Sequence, residues 1–115
     1  MSNLTIFDKI LSKEIPAQIV YEDDHVLAFR DIQPQAPVHV LVIPKTKWVG
    51  FSALQDAAPL AVGEFFTRVA KVAAQLGLDA KGYRVVLNNG RDGQQTVDYI
   101  HAHILGGRGL TWPPG

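Results

Sequence analysis

Two short runs constrain this chain more than any other feature: VHVLVI, residues 38–43, and DYIHAHIL, residues 98–105. Side chains alternate faces along a strand, so the spacing of the histidines decides where they point. In the second run Ile100, Ala102 and Ile104 share one face, while Tyr99, His101, His103 and Leu105 share the other. The first set is wholly apolar and is expected to sit under a helix. In VHVLVI, Val38, Val40 and Val42 share one face, and His39, Leu41 and Ile43 the other. If both strands belong to one sheet, His39 reaches the side of His101 and His103, and three of the four histidines converge. Along their strand His101 and His103 lie roughly 7 Å apart, at ~3.3 Å rise per residue.

The other elements are read around these two. Asn3 is placed to cap a short helix through TIFDKILSK, where Ile6, Ile10 and Leu11 share a face, and Pro16 ends it. AQIVYE and HVLAFR flank Asp23-Asp24 as an antiparallel pair. DIQPQAP holds two prolines and is a loop. The clearest helix covers residues 57–76, with Val62, Phe65, Phe66, Val69, Val72, Ala73 and Leu76 at helical spacing, Asp56 as cap and Gly77 closing the end. YRVVLN reads as a strand, NGRDGQQT as a polar loop, and GGRGLTWPPG as a tail too rich in Gly and Pro for regular structure. Strands outnumber helices, and most consecutive strands are joined by short turns. That predicts an α+β fold with a mainly antiparallel sheet and helices packed on one face.

Composition narrows the function. The 115 residues suit one domain, 1–115, with 106–115 as a tail, and 47% apolar against 19% charged residues is ordinary for a globular protein. Eleven basic and eleven acidic side chains cancel, which argues against a nucleic-acid polymer as partner. The absence of cysteine removes disulfides, thiolate chemistry and Cys-ligated metals. MSNLTIFDKILSKEIP lacks the apolar run of a secretory signal, and no apolar segment approaches the roughly 20 residues that span a bilayer. A cytoplasmic protein without a membrane partner is expected.

A His-x-His pair can bind metal. Here no third ligand stands nearby at a typical spacing, and Asp98 falls on the opposite face, so no metal is assigned. His25 follows the Asp23-Asp24 turn and is expected to be exposed. In NGRDGQQT, Gly90 and Gly93 allow backbone N–H groups to aim at an anion; Gln95 and Thr96, with Asn88 just before the loop, add neutral hydrogen-bonding groups. Beside two histidines this loop becomes a candidate phosphate cradle. The fitting chemistry is attack on phosphorus by a neutral imidazole, with a second imidazole moving protons. An unperturbed pKa of about 6.5 keeps much of the imidazole neutral at pH 7.

IHAHILGGRGLTWPPG resembles the signature of the histidine-triad (HIT) superfamily, His-φ-His-φ-His-φ-φ with φ apolar, and its GGR and WPPG resemble the Hint branch. FDKILSKEIPA, YEDDHVLAFRDIQPQAPVHVLVIPK and LGLDAKGYRVVLNNGRDGQQTV resemble Hint segments in the same order, so the likeness covers nearly the whole chain. The resemblance implies a five-stranded antiparallel sheet with two helices, joined to a second copy in a homodimer. It implies a purine nucleoside phosphoramidase or nucleotidyl hydrolase that cleaves P–N and related acyl-phosphate bonds of nucleoside monophosphate derivatives. The implied reaction runs through a nucleotidyl-histidine intermediate and requires no cofactor or metal. By resemblance His101 is the nucleophile, His103 contacts the phosphate and assists proton transfer, and His39 is an additional histidine of the site. Asp31 binds the ribose hydroxyls, Ile32 lines the base pocket, and Asn88, Gln95 and Thr96 surround the phosphate and leaving group. Trp112 lies in a tail that reaches toward the partner subunit's site.

Tyr99 occupies the place of the first triad histidine. The resemblance gives that position a main-chain role, a carbonyl that orients the nucleophile, which tyrosine supplies equally well. Activity is therefore expected to survive. Gln94 stands where many Hint proteins have glycine. A rival reading is a non-catalytic purine nucleotide-binding or protein-interaction module. Dinucleoside polyphosphate hydrolysis is a third, and the WPPG ending argues against it.

Overall fold

The computed structural model describes residues 4–115. Helix α1 spans Ile6–Leu11, followed by strands β1 (Ile19–Glu22), β2 (Val26–Arg30) and β3 (Val38–Pro44). A 3₁₀ segment, Phe51–Asp56, leads into α2 (Pro59–Gln75), then β4 (Arg84–Val86) and β5 (Ala102–Gly106). The strands form one five-stranded sheet in the order β1-β2-β3-β5-β4, every adjacent pair antiparallel. The α+β class and the five antiparallel strands agree with the sequence reading. The 3₁₀ segment is additional.

Local chemistry explains the element boundaries. The expected cap Asn3 lies outside the described residues, and α1 is capped by Thr5, whose side chain accepts from the Phe7 and Asp8 N–H groups while Asp8 accepts from the Thr5 N–H. This reciprocal pair satisfies N–H groups that the first turn leaves open. The helix stops before Pro16, with Lys13 in the left-handed region at φ 66°. Helix α2 begins later than expected, with Pro59 in its first turn, and Asp56 instead ends the 3₁₀ segment. Its C-terminus closes at Gly77, φ 77°, with Gly77 N–H on the Ala74 carbonyl and Leu78 N–H on the Ala73 carbonyl. These are the paired bonds of a glycine-terminated helix. At the β1–β2 turn, Asp23 accepts the N–H groups of His25 and Val26. His25 is half-buried and pairs with Glu64 of α2 at 2.9 Å, rather than standing free in solvent.

Apolar side chains divide between the two faces of the sheet. Val26, Ala28, Val40, Val42, Ile100, Ala102 and Ile104 pack against Phe65, Val69, Val72 and Ala73 of α2. Leu27, Phe29, Leu41, Ile43 and Tyr99 pack against Phe7 and Ile10 of α1. The helices therefore cover opposite faces, which corrects the expectation of a one-sided arrangement. Strand β2 shows why: Val26, Leu27, Ala28 and Phe29 are all buried, so both faces of this central strand require cover. On α1, Phe7 and Ile10 are buried and Ile6 is exposed, which shifts the apolar face from the expected Ile6, Ile10 and Leu11.

The last strand begins later than DYIHAHIL suggested. The Ile100 N–H is taken by the Trp48 carbonyl at 2.7 Å, so ladder pairing begins at Ala102. The alternation of faces persists through the preceding residues, with Ile100 in the α2 cluster and Tyr99 in the α1 cluster. Among the described residues no helix is long and apolar enough to cross a membrane.

Phe65 is 1% exposed and anchors α2 on the face away from the histidines. Phe65→Ala is expected to cost about 3–5 kcal/mol in urea unfolding, the range for a large aromatic removed from a core.

Candidate active site

Pairing of β3 with β5 sets Leu41 opposite His103 and His39 opposite Leu105. His39 and His103 are then diagonal neighbours on one face, within reach of long side chains. Their rings meet, with His39 Nε2 2.9 Å from His103 Nδ1. His101 stands just before β5, its ring centroid 4.9 Å from that of His103, closer than the spacing along a strand. The three histidines converge as expected. The edge of Phe7 meets His101 at 4.9 Å between centroids, so α1 closes the far side.

Hydrogen-bond partners decide which ring nitrogens carry protons. His101 Nδ1 lies 2.7 Å from the Tyr99 carbonyl. A carbonyl only accepts, so Nδ1 bears the proton and Nε2 keeps its lone pair. His39 Nδ1 accepts the Gln35 N–H at 3.0 Å, which places the proton of neutral His39 on Nε2. That proton is donated to His103 Nδ1, and Asp31 Oδ2 lies 3.4 Å from the same His39 nitrogen. Neutral His103 therefore carries its proton on Nε2, a buried atom with no hydrogen-bond partner among the described residues.

Electrostatics keep all three rings neutral. Burial lowers the His101 pKa, partly opposed by the Tyr99 carbonyl and by Asp31. Burial likewise lowers that of His39, with Asp31 opposing. His103 is pushed down to about 4, first by burial and then by its neighbours His101 and His39.

The histidines open on a cavity of about 310 Å³ lined by Phe7, Ile10, Ile15, Phe29, Asp31, Ile32, Leu41, Thr96, Val97, His101 and His103, among others. Asp31, Ile32, Thr96, His101 and His103 thus meet at one cavity, and His39 supports it from behind. Ile32 is 92% exposed at the mouth. Asn88 and Gln95 do not line it. Gln95 staples its own loop, accepting from Gly90 N–H and donating to the Val49 and Val97 carbonyls. Of the loop NGRDGQQT, Thr96 lines the cavity, and the Gly90 N–H is held by Gln95. Gln94 has φ 64°, in the left-handed region that glycine adopts without strain. Sequence reasoning missed Phe7, Ile15, Phe29 and Val97. Their apolar character was visible, but the placement of α1 on the histidine face was not. A larger hollow of about 570 Å³ beside Gly77, Lys81, Gly107 and Arg108 has no histidine on its walls.

Such a sheet, with paired neutral imidazoles at the junction of two central strands, defines a class of small α+β proteins built around one histidine pocket. The chain belongs to the HIT domain family, whose description fits residues 12–110. It is 55% identical over 114 residues to the 14 kDa zinc-binding protein of Zea mays, covering 96% of this chain and 88% of that one. It is 51% identical over 113 residues to adenylylsulfatase HINT1 of Arabidopsis thaliana, covering 96% and 76%. Among solved structures, a HIT family hydrolase from Legionella pneumophila superposes with a TM-score of 0.90 at 46% identity, covering 96% of this chain and 98% of that chain.

The name of the maize relative raises the question of zinc. Asp31, His39 and His103 offer ligand atoms within 4.8 Å of one another. The 2.9 Å between the two facing nitrogens is shorter than the edge of about 3.3 Å that tetrahedral Zn–N bonds of about 2.05 Å require. A proton occupies that gap, and the other His39 nitrogen is held by Gln35. These residues as arranged do not fit zinc.

Two outcomes follow. The unfolded chain binds more protons than the folded one below the ordinary imidazole pKa of 6.5, so stability is full above that value and falls toward about pH 4. Thermal midpoints from pH 8 to 4 should show this decline, and His103→Asn should flatten it. Tyr99→Phe deletes the hydroxyl that donates to the Pro44 carbonyl and should cost about 1–2 kcal/mol in unfolding. Because the carbonyl on His101 is main-chain, the Nδ1–H form of His101 should persist in ¹⁵N spectra of that variant.

Proposed function

We propose that this protein is a purine nucleoside phosphoramidase of the HIT type, which forms a nucleotidyl-His101 intermediate. The observation that carries the reading is the hydrogen-bond pattern of two histidines that line one cavity, which leaves a lone pair on His101 Nε2 and an N–H on His103 Nε2. A nucleophile and a hydrogen-bond donor so arranged suit an electrophilic phosphorus and its oxygen.

The purine covers exposed Ile32 and the apolar wall, and Asp31 receives the ribose hydroxyls. The lone pair of His101 attacks phosphorus, the P–N bond breaks, and its electron pair leaves with nitrogen, which takes one proton from solvent and departs as an amine. The His101 Nδ1–H stays on the Tyr99 carbonyl and spreads the positive charge of the phosphorylated ring. Hydrogen bonds from His103 Nε2 and Thr96 hold the phosphate oxygens and the departing group. Water then attacks phosphorus, His101 leaves as the neutral ring, and one proton is released. Adenylylsulfatase, the name of the Arabidopsis relative, denotes the same task of displacing a group from an adenylyl phosphorus. The working form is proposed to be a homodimer, with β4, an edge strand, and the exposed Trp112 tail at the contact.

Metal-free protein should hydrolyse adenosine 5′-phosphoramidate, and His101→Ala should abolish turnover while sparing adenosine monophosphate binding. Mass spectrometry of the quenched wild-type reaction should find the nucleotidyl adduct on His101. Nucleotide binding without adduct or turnover would favour the non-catalytic module. Since protonated His101 has no lone pair on Nε2, and burial lowers its pKa, the acid limb of kcat/KM should fall below pH 6.5.

A further inference from the structure

The GGR stretch, Gly106-Gly107-Arg108, lies outside the lining of the cavity, yet it is tied to the histidines. Gly106 ends β5 against Leu78, whose Cδ2 would be 2.8 Å from an added Cβ. Gly107, at φ 88°, passes Pro37 so closely that a Cβ would meet the Pro37 Cβ at 2.9 Å. Both contacts allow the tail to lie against the loop between β2 and β3. Arg108 Nη2 then donates to the Gln35 carbonyl at 2.9 Å, and Nη1 to the Gly109 carbonyl at 3.0 Å. Gln35 in turn donates its N–H to His39 Nδ1. Two more bonds brace the loop: Gln33 N–H to Asp31 Oδ1, and Gln35 Nε2 to the Gln33 carbonyl.

We infer that Arg108 is a positioning residue: by holding Gln35, it sets which nitrogen of His103 carries the proton. The Gln35 N–H excludes a proton from His39 Nδ1. The His39 Nε2–H then excludes one from His103 Nδ1. What remains is the Nε2–H of His103, a buried donor on a residue that lines the cavity. Without the Gln35 contact, His39 is free to carry its proton on Nδ1, and the shared bond between the rings reverses. His103 Nε2 then presents a lone pair to a phosphate oxygen, and attraction becomes repulsion. The catalytic consequence rests on the phosphoramidase reading, whereas the proton positions do not.

Long-range ¹⁵N–¹H spectra of the ring nitrogens test this in the full-length, ligand-free protein at pH 8. Wild type should show protonated Nε2 on His39 and His103, and protonated Nδ1 on His101. Arg108→Ala should give mixed forms at His39 and His103 with His101 unchanged, and kcat/KM for adenosine 5′-phosphoramidate should fall about fivefold, the effect of one hydrogen bond. Arg108→Lys, which keeps a donor, should restore most of both. Arg108→Gln replaces the alanine variant if that does not fold. A wild-type His39 protonated on Nδ1, or variant spectra identical to wild type, would overturn the inference. The stated proton positions without wild-type turnover would instead overturn the phosphoramidase reading and leave the positioning role standing.

Discussion

Leu41 faces His103 across the ladder between β3 and β5, and the site depends on that register. A slip of one residue would send every side chain of one strand to the opposite face. His39 would enter the α2 core, and Val38 or Val40 would face the cavity. The register is held from both sides, because each face of β3 contributes to its own apolar cluster. A sheet with one wet face would hold the same pairing less firmly. The double cover of the central strands is thus a condition for placing two imidazoles within 2.9 Å of each other.

Main-chain groups then do what side chains cannot do reliably. A carbonyl and an amide N–H, from Tyr99 and Gln35, stand at the two ends of the histidine group and fix its protons. Any residue supplies the first, and any but proline the second. Tyr99 supplies the first of them through its main chain, which leaves its side chain free for other contacts. Its ring packs beside Phe7 at 6.2 Å, and burial, with a contribution from Asp8, pushes its phenol up to about 12. Tyr99 therefore remains a neutral donor to Pro44 and adds no charge behind His101.

Much of this was legible in the sequence because period two is a local property. The facing of His39, His101 and His103, the apolar stripe of α2 and the closure at Gly77 all follow from spacing within a few residues. The rest needed distant partners. Nothing near Phe7 indicates that it will meet His101, since the contact joins opposite ends of the chain. Gln95 looked like a free polar group, but its amide is consumed by Val49 and Val97, a use set by the path of the chain after β3. Asp56 had the right chemistry for a helix cap, yet Pro59 offered a start in which no cap side chain was used. The role of Gln35 was invisible for a different reason: it acts through its backbone, which every residue but proline shares.

The buried N–H of His103 also has a meaning for selectivity. A donor shielded from water rewards only a ligand that satisfies it. A ligand that places an apolar group there leaves the donor as unpaired as before and forgoes about 1–3 kcal/mol, or roughly 5- to 150-fold in affinity. On the phosphoramidase reading, nucleosides without a phosphate forgo that gain, and so do mimics in which carbon replaces the phosphate oxygen. The same atom thus separates an acceptor from its near-matches.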